Sequence, residues 1–145
     1  MFDTEVKLED PIFAYDPKRY GVGDGYTIFV YALPESLRKR FENADTRLFT
    51  NFPKRSPYNL RENIEHWREA PLDQQLARCL DFSLGINSSE IKGLDTHFND
   101  IRTALKEKGT FYAFFYEHSD RRITNIETFI VDLVRGRLYY ISHDT

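Results

Sequence analysis

Two segments with β-branched and aromatic residues at consecutive positions constrain the fold of this chain more than any other feature. Residues 26–33 read YTIFVYAL, and residues 110–117 read TFYAFFYE. Branched and aromatic side chains favour strands, and a strand that is apolar on both faces is typical of the middle of a sheet. We therefore expect both segments to be strands at the centre of one β-sheet.

The last third of the chain predicts a meander of three strands. The segment 110–117 is followed by a polar turn and then by residues 126–134, where apolar side chains alternate. Gly136 can adopt the positive φ that a short hairpin connection needs before a last strand at 137–142. On that last strand, Tyr140 and Ile141 are interpreted as part of a sheet edge.

The middle of the chain shows the three-to-four-residue spacing of apolar side chains that is typical of helices. The predicted helices are one opened by Pro34, one over residues 60–69 with Leu60, Ile64 and Trp67 on its apolar face, one between Pro71 and Gly85, and one over residues 89–108 that ends at Gly109.

The order of these elements predicts the fold class. A short strand at residues 12–15 and the strand at 26–33 come first, the helices follow, and the meander comes last. Because strands and helices are segregated, we expect an α+β fold, with an antiparallel sheet of about five strands and about four helices packed mainly on one face. No linker or repeat divides the chain, so residues 1–145 are interpreted as a single domain.

Charge and cysteine content bear on the partners and the compartment. The 23 acidic and 20 basic residues give a net charge of -3, which provides no general attraction to nucleic acid or to an anionic membrane. The single cysteine, Cys79, cannot form an intramolecular disulfide. The residues after Met1 lack the basic and apolar pattern of a signal peptide, so we expect a cytoplasmic protein.

The histidines offer the most direct candidates for chemistry. His66, His97, His118 and His143 do not have the spacing of a metal site, and we expect no metal and no cofactor. His118 begins the stretch HSDRR, in which a general base next to arginines would suit a small hydrolase or nuclease. A second histidine is needed for acid–base work, and His143 can supply it only in a suitable strand register. The same stretch is also an ordinary turn.

Three other motifs favour structural roles. The stretch GVGDG at 21–25 leads into a strand and not into a helix, so it is interpreted as a turn and not as a phosphate loop. Cys79 lies on the leucine-rich side of its helix, which favours a buried structural thiol. The carboxylates Glu62, Glu65 and Glu69 alternate with arginines in the pattern of a solvated face.

Arginine and tyrosine residues in the meander suggest an alternative function. Single-stranded nucleic acid is often bound by arginines and stacking aromatic rings on a sheet. The residues concerned are Arg121, Arg122, Arg135, Arg137, Tyr112, Tyr116, Tyr139 and Tyr140. All four arginines lie at or beside turns, where charge is common, so nucleic acid is the less favoured partner.

The function that these observations favour is a non-catalytic protein-binding module. The chain has balanced charge, no convergent catalytic motif and nine tyrosines, a residue enriched in protein interfaces. In bacteria, an inhibitor or a toxin-neutralising immunity protein that masks its partner has these properties. Tyr20, Asp24 and Tyr58, in loops, are the expected partner-binding residues.

Overall fold

The computed structural model describes residues 6–17, 25–51 and 61–145. The strands in these ranges are β1 (Phe13–Tyr15), β2 (Gly25–Ala32), β3 (Glu62–Glu69), β4 (Thr110–Ser119), β5 (Arg122–Asp132) and β6 (Arg137–Asp144). The α-helices are α1 (Glu35–Glu42), α2 (Thr46–Asn51), α3 (Ala77–Ser83) and α4 (Leu94–Ala104), and single 3-10 turns lie at Gln74–Leu76 and Ser88–Glu90. None of the described helices has the length and apolarity that crossing a membrane requires.

The six strands form one antiparallel sheet in the order β1-β2-β6-β5-β4-β3. This confirms the α+β class and the C-terminal meander of β4, β5 and β6. Gly136, in the β5–β6 connection, has a φ of 66°, as the predicted hairpin requires. The strand that the sequence did not predict is β3.

The centre of the sheet is the pair β6 and β5, so the expected central position of the two doubly apolar strands is wrong. Strand β2 pairs with β6 along its whole length, from Gly25 opposite Asp144 to Ala32 opposite Arg137. The pairing encloses β6, and the prediction that Tyr140 and Ile141 lie at an edge is therefore wrong. Strand β1, with three residues, and strand β3, with eight, are the edges and supply the outer partners of β2 and β4.

Helices cover both faces of the sheet, which corrects the prediction that they pack mainly on one. On one face, called here the α4 face, Tyr112 and Phe114 of β4 belong to a core with residues of α3 and α4. On the other, the α1 face, Phe111 and Ala113 join Leu37 and Phe41 of α1. Successive side chains of a strand point to opposite faces, and β4 is apolar at every position from Phe111 to Tyr116 because each face has its own core.

Strand β3 occupies the segment that was predicted to be a helix at residues 60–69. Ile64 pairs opposite Phe115 on the α1 face, and a register shift lies between Glu65 and Arg68. This bulge inserts an extra residue, so Trp67 also reaches the α1 face and packs in its core. The spacing of three between Ile64 and Trp67 therefore imitates a helical face, which is why the segment was misinterpreted.

The remaining helices form where they were predicted but are shorter. Helix α1 follows Pro34 and buries Leu37 and Phe41, as expected. Helix α4 covers only Leu94–Ala104 of the predicted 89–108, because Gly93 adopts a left-handed φ of 87° immediately before it. Similarly, the predicted helix after Pro71 is divided into a 3-10 turn and α3.

Candidate functional site

A cleft of about 610 Å³ opens on the α4 face, at the end of the sheet where Gly25 of β2 pairs with Asp144 of β6. We call it the His143 cleft. Its lining comes from three separated parts of the chain: Tyr15, Pro17, Gly25 and Tyr26; Ile86, Asn87, Glu90 and Ile91; and His143, Asp144 and Thr145. A concave site of this size, with apolar walls and a few polar groups, has the usual properties of a binding site.

Two groups on the sheet side of the cleft cap the C-terminal end of α3. The last carbonyl groups of a helix have no partner within the helix. Tyr26 donates its hydroxyl proton to the carbonyl of Ser83 at 2.9 Å, and His143 donates from Nδ1 to the carbonyl of Phe82 at 2.7 Å. Because a carbonyl can only accept, the proton of a neutral His143 lies on Nδ1 and its Nε2 is an acceptor.

Aromatic packing fixes the orientation of the His143 ring. It stacks on Phe82 with ring centroids 4.5 Å apart, and it meets the ring of Tyr26 edge-on at 5.0 Å. Tyr15 lies 6.5 Å from Tyr26, between ring centroids. Burial raises the pKa of Tyr26 well above its ordinary value, so its hydroxyl stays protonated. The cleft therefore has a rigid aromatic wall.

One carboxylate side chain, that of Glu90, provides the charge of the cleft, and it accepts a hydrogen bond from the side-chain amide of Asn87 at 3.0 Å. The side chain of Asp144 follows that of His143 on β6 and so points to the α1 face. The described residues that line the cleft include no lysine or arginine, and within the described ranges Glu90 forms no ion pair. The described lining therefore combines aromatic side chains with one negative charge.

Gly25 permits a close approach of β2 and β6 at this end of the sheet. A Cβ at Gly25 would lie 2.6 Å from the Cβ of Asp144, which is closer than two carbon atoms can approach. The two strands meet this closely only because residue 25 has no side chain.

The predicted partner-binding residues Tyr20, Asp24 and Tyr58 lie outside the described residues. The segment that holds Tyr20 and Asp24 joins Pro17 to Gly25, and both of these flanking residues line the His143 cleft.

The strand register does not bring His118 and His143 together. His118 pairs opposite Ile123, and its Nδ1 lies 2.7 Å from the side-chain amide of Asn63. His143 lies on β6, with β5 between the two strands. Strand spacing and rise place the two Cα atoms roughly 12 Å apart. The strand register therefore does not place His143 beside His118, as acid–base chemistry with two histidines requires.

The arginines and tyrosines of the meander do not share a surface. Arg121 and Arg122 lie at one end of β5, whereas Arg135 and Arg137 lie beyond its other end. Arg135 is paired with Asp132 and Glu107. Tyr112, Tyr116 and Tyr139 are buried in the core of the α4 face and are therefore unable to stack on a base. Tyr140 faces the other side of the sheet.

The other candidate residues have structural surroundings. Cys79 is buried and fully enclosed, and burial raises the pKa of its thiol to about 12, so almost none of it is the reactive thiolate. His97 packs its ring on Phe13 at 4.7 Å, and burial lowers its pKa. Among the described residues, no group of three or more histidine, cysteine, aspartate or glutamate side chains is arranged to hold a metal ion.

The chain matches no protein-family model, and neither the curated proteins nor the solved structures include one with significant similarity to it. The His143 cleft is therefore the basis for a proposal of function. Sequence reasoning singled out His143 but did not identify Glu90, Tyr15 or Tyr26 as site residues, because they come from distant segments and share no spacing. The sequence signal that bears on this site is the glycine-rich stretch that ends at Gly25, a residue that lines the cleft.

Proposed function

We propose that this chain is a non-catalytic protein-binding module that masks a partner protein, as an inhibitor or a toxin-neutralising immunity protein does. The His143 cleft would be the contact site, and a basic segment of the partner would enter it. The observation that carries this proposal is the combination, in one cleft, of a rigid aromatic wall with the Glu90 carboxylate, which forms no ion pair within the described ranges.

A basic side chain fits the chemistry of this lining. A guanidinium or ammonium group can pair with Glu90 while its stem contacts the partly exposed ring of Tyr15. Masking a basic surface is also an effective way to inhibit a protein that acts on an anionic substrate. The net charge of -3 favours encounter with such a partner.

The roles of His143 and Tyr26 support binding in preference to catalysis. Their donor atoms are used to cap α3. Their rings are held by packing, so they form a wall of fixed shape. Preorganised aromatic groups increase affinity because little side-chain entropy is lost on binding.

The cleft is tested with an arginine-rich peptide and a peptide of the same sequence in which citrulline, the uncharged isostere, replaces each arginine. We expect the wild-type protein to bind only the arginine peptide. The variant Glu90→Gln should bind it about tenfold more weakly, which corresponds to roughly 1.4 kcal/mol for the loss of this charge. Isothermal titration calorimetry measures both affinities.

The matched control is Glu35→Gln, which removes the same charge from an exposed position on α1, on the opposite face. It should change the affinity less than about twofold. Equal weakening by both variants would show that only net charge matters and would remove the cleft from the proposal. A pull-down from the native host then tests masking: one protein should be recovered at fixed stoichiometry by wild-type protein and lost with the cleft variant.

A further inference from the structure

A second concave surface lies between α3 and α4, and we call it the α3–α4 groove. It measures about 370 Å³ and is lined by Pro71, Leu72, Gln74, Ala77, Leu80, Arg102, Leu105 and Lys106. The groove and the His143 cleft flank opposite ends of α4: Glu90 and Ile91 precede this helix, and Leu105 and Lys106 follow it. The two surfaces are therefore separated by the length of α4, about 16 Å at 1.5 Å per residue.

Helices α3 and α4 pack their most buried residues against the sheet, as Cys79 and Ile101 show, since both are fully buried in that core. Less buried aliphatic side chains of the same region then form the floor of the groove. A backbone hydrogen bond from Leu72 to the carbonyl of Leu105, at 2.9 Å, holds the segment before α3 against the end of α4. Leu72 and Leu80 remain partly exposed between the helices, and they form an apolar strip open to solvent.

Both charged residues in the described lining of the groove are basic. Arg102 lies in the last turn of α4, Lys106 lies two residues beyond its end, and both are exposed. Within the described ranges neither forms an ion pair, and the guanidinium of Arg102 lies 5.8 Å from the ring of Phe98. The nearby carboxylate of Asp73 is neutralised by Arg68 at 3.1 Å. The groove thus combines an aliphatic floor with two cations that have no carboxylate partner among the described residues.

We propose that the α3–α4 groove docks a short amphipathic segment of a partner protein, with acidic residues next to its apolar ones. Leucine side chains of the segment would cover Leu72 and Leu80, and its carboxylates would reach Arg102 and Lys106. An amphipathic helix in an apolar groove is a common recognition mode, and the positive charge at the rim favours a helix that carries acidic residues. Nucleic acid is disfavoured, because the described lining has no aromatic ring for a base and only two cations for a phosphate backbone.

This site is independent of the proposed masking function, because it takes a ligand of opposite charge on a different surface. The probes are a synthetic helical peptide with leucines on one face and glutamates on the flanks, and the same peptide with glutamine for each glutamate. Wild-type protein should bind the glutamate peptide at least about tenfold more tightly than the glutamine peptide. Fluorescence anisotropy at two salt concentrations measures this difference.

Charge reversal tests the rim directly. Arg102→Glu/Lys106→Glu changes two exposed side chains, so folding should be preserved, and it should reduce affinity for the glutamate peptide at least about tenfold. Lys108→Glu is the control for a charge reversal outside the groove, since Lys108 is exposed close by but does not line it, and it should leave affinity within about twofold. The cleft variant Glu90→Gln should bind the glutamate peptide as wild type does, which separates this proposal from the previous one.

Three results would overturn the inference. One is equal affinity for both peptides with no effect of the charge reversal. Another is binding of single-stranded nucleic acid or anionic vesicles that depends on Arg102 and Lys106, with no peptide binding. The third is a concentration-dependent dimer, seen by sedimentation, that dissociates on charge reversal, because a second copy of the chain would then be the occupant.

Discussion

Tyr26 and Tyr139 both point into the core of the α4 face, but only one hydroxyl has a partner. Tyr26 donates to the carbonyl of Ser83. The hydroxyl of Tyr139 is buried and has no hydrogen-bond partner among the described residues. A buried polar group without a partner loses its hydration and gains nothing in return.

The two residues should therefore respond oppositely to the same substitution. Tyr139→Phe should stabilise the protein by about 1 kcal/mol, because it removes a buried group without a partner. Tyr26→Phe should destabilise it by about 1–2 kcal/mol, because the Ser83 carbonyl at the end of α3 loses its donor. Urea unfolding of both variants gives the free energies, and a destabilised Tyr139→Phe would show that its hydroxyl has a partner in solution.

Tyr139 also makes stability depend on alkaline pH. Burial raises the pKa of Tyr139 from 10.0 to about 12. The unfolded chain therefore loses this proton first as the pH rises, and the stabilisation, full below pH 10, is lost progressively up to pH 12. Two pKa units correspond to roughly 3 kcal/mol. We expect Tyr139→Phe to reduce the decline in unfolding free energy between pH 10 and 12 by this order.

At the scale of elements, the bulge in β3 decides which core this edge strand joins. Trp67 meets Phe41 of α1 edge-on, with ring centroids 4.9 Å apart. The next residue, Arg68, pairs opposite Tyr112 and so belongs to the α4 face, where it forms ion pairs with Glu65 and Asp73. Trp67 thus packs the edge strand against α1, whereas Arg68 lies at the exposed margin of the α4 face.

Because Trp67 lies in the core and Arg68 at the surface, substitutions at these two neighbouring positions should differ widely in their effect on the free energy of unfolding. Trp67→Ala should cost about 3–5 kcal/mol, because it leaves a cavity beside Phe41. Arg68→Ala should cost less than about 1 kcal/mol, because exposed ion pairs contribute little. Chemical denaturation measures both values. A similar cost for both would contradict the assignment of Trp67 alone to the core.

At the scale of the whole molecule, the sheet combines local and distant pairings. The hairpins β4–β5 and β5–β6 join neighbouring strands, whereas β2 pairs with β6 from the other end of the chain. Local contacts close short loops, which cost less entropy than long ones. We expect the meander to be formed in the folding transition state and β2 to be added after it.

Two conservative substitutions test this order. Ile130 of β5 and Ile28 of β2 are both fully buried on the α4 face. Each change to valine should cost about 0.5–1.5 kcal/mol. Ile130→Val should mainly slow folding, and Ile28→Val should mainly accelerate unfolding, as measured by stopped-flow kinetics. The reverse pattern would mean that the β2–β6 pairing forms first.

Local sequence patterns were sufficient for features that depend on neighbouring residues. The strands β2 and β4, the helix after Pro34 and the hairpin at Gly136 were predicted because propensity, periodicity and turn chemistry act within a few residues. The α+β class followed from the order of these elements. The segment of β3 was misinterpreted because a bulge and a helix can place the same residues on one face.

Tertiary structure alone decided the strand order, the cover on both faces and the two candidate binding surfaces. The pairing of β2 with β6 joins residues from the two ends of the chain, and no local pattern distinguishes this partner from another strand. Glu90 and His143 line one cleft only because the segment before α4 packs against this end of the sheet. The sequence by itself determined which segments are strands and helices, because local energies choose a backbone conformation. Which surfaces meet was decided by the burial of both apolar faces at once, a property of the assembled sheet.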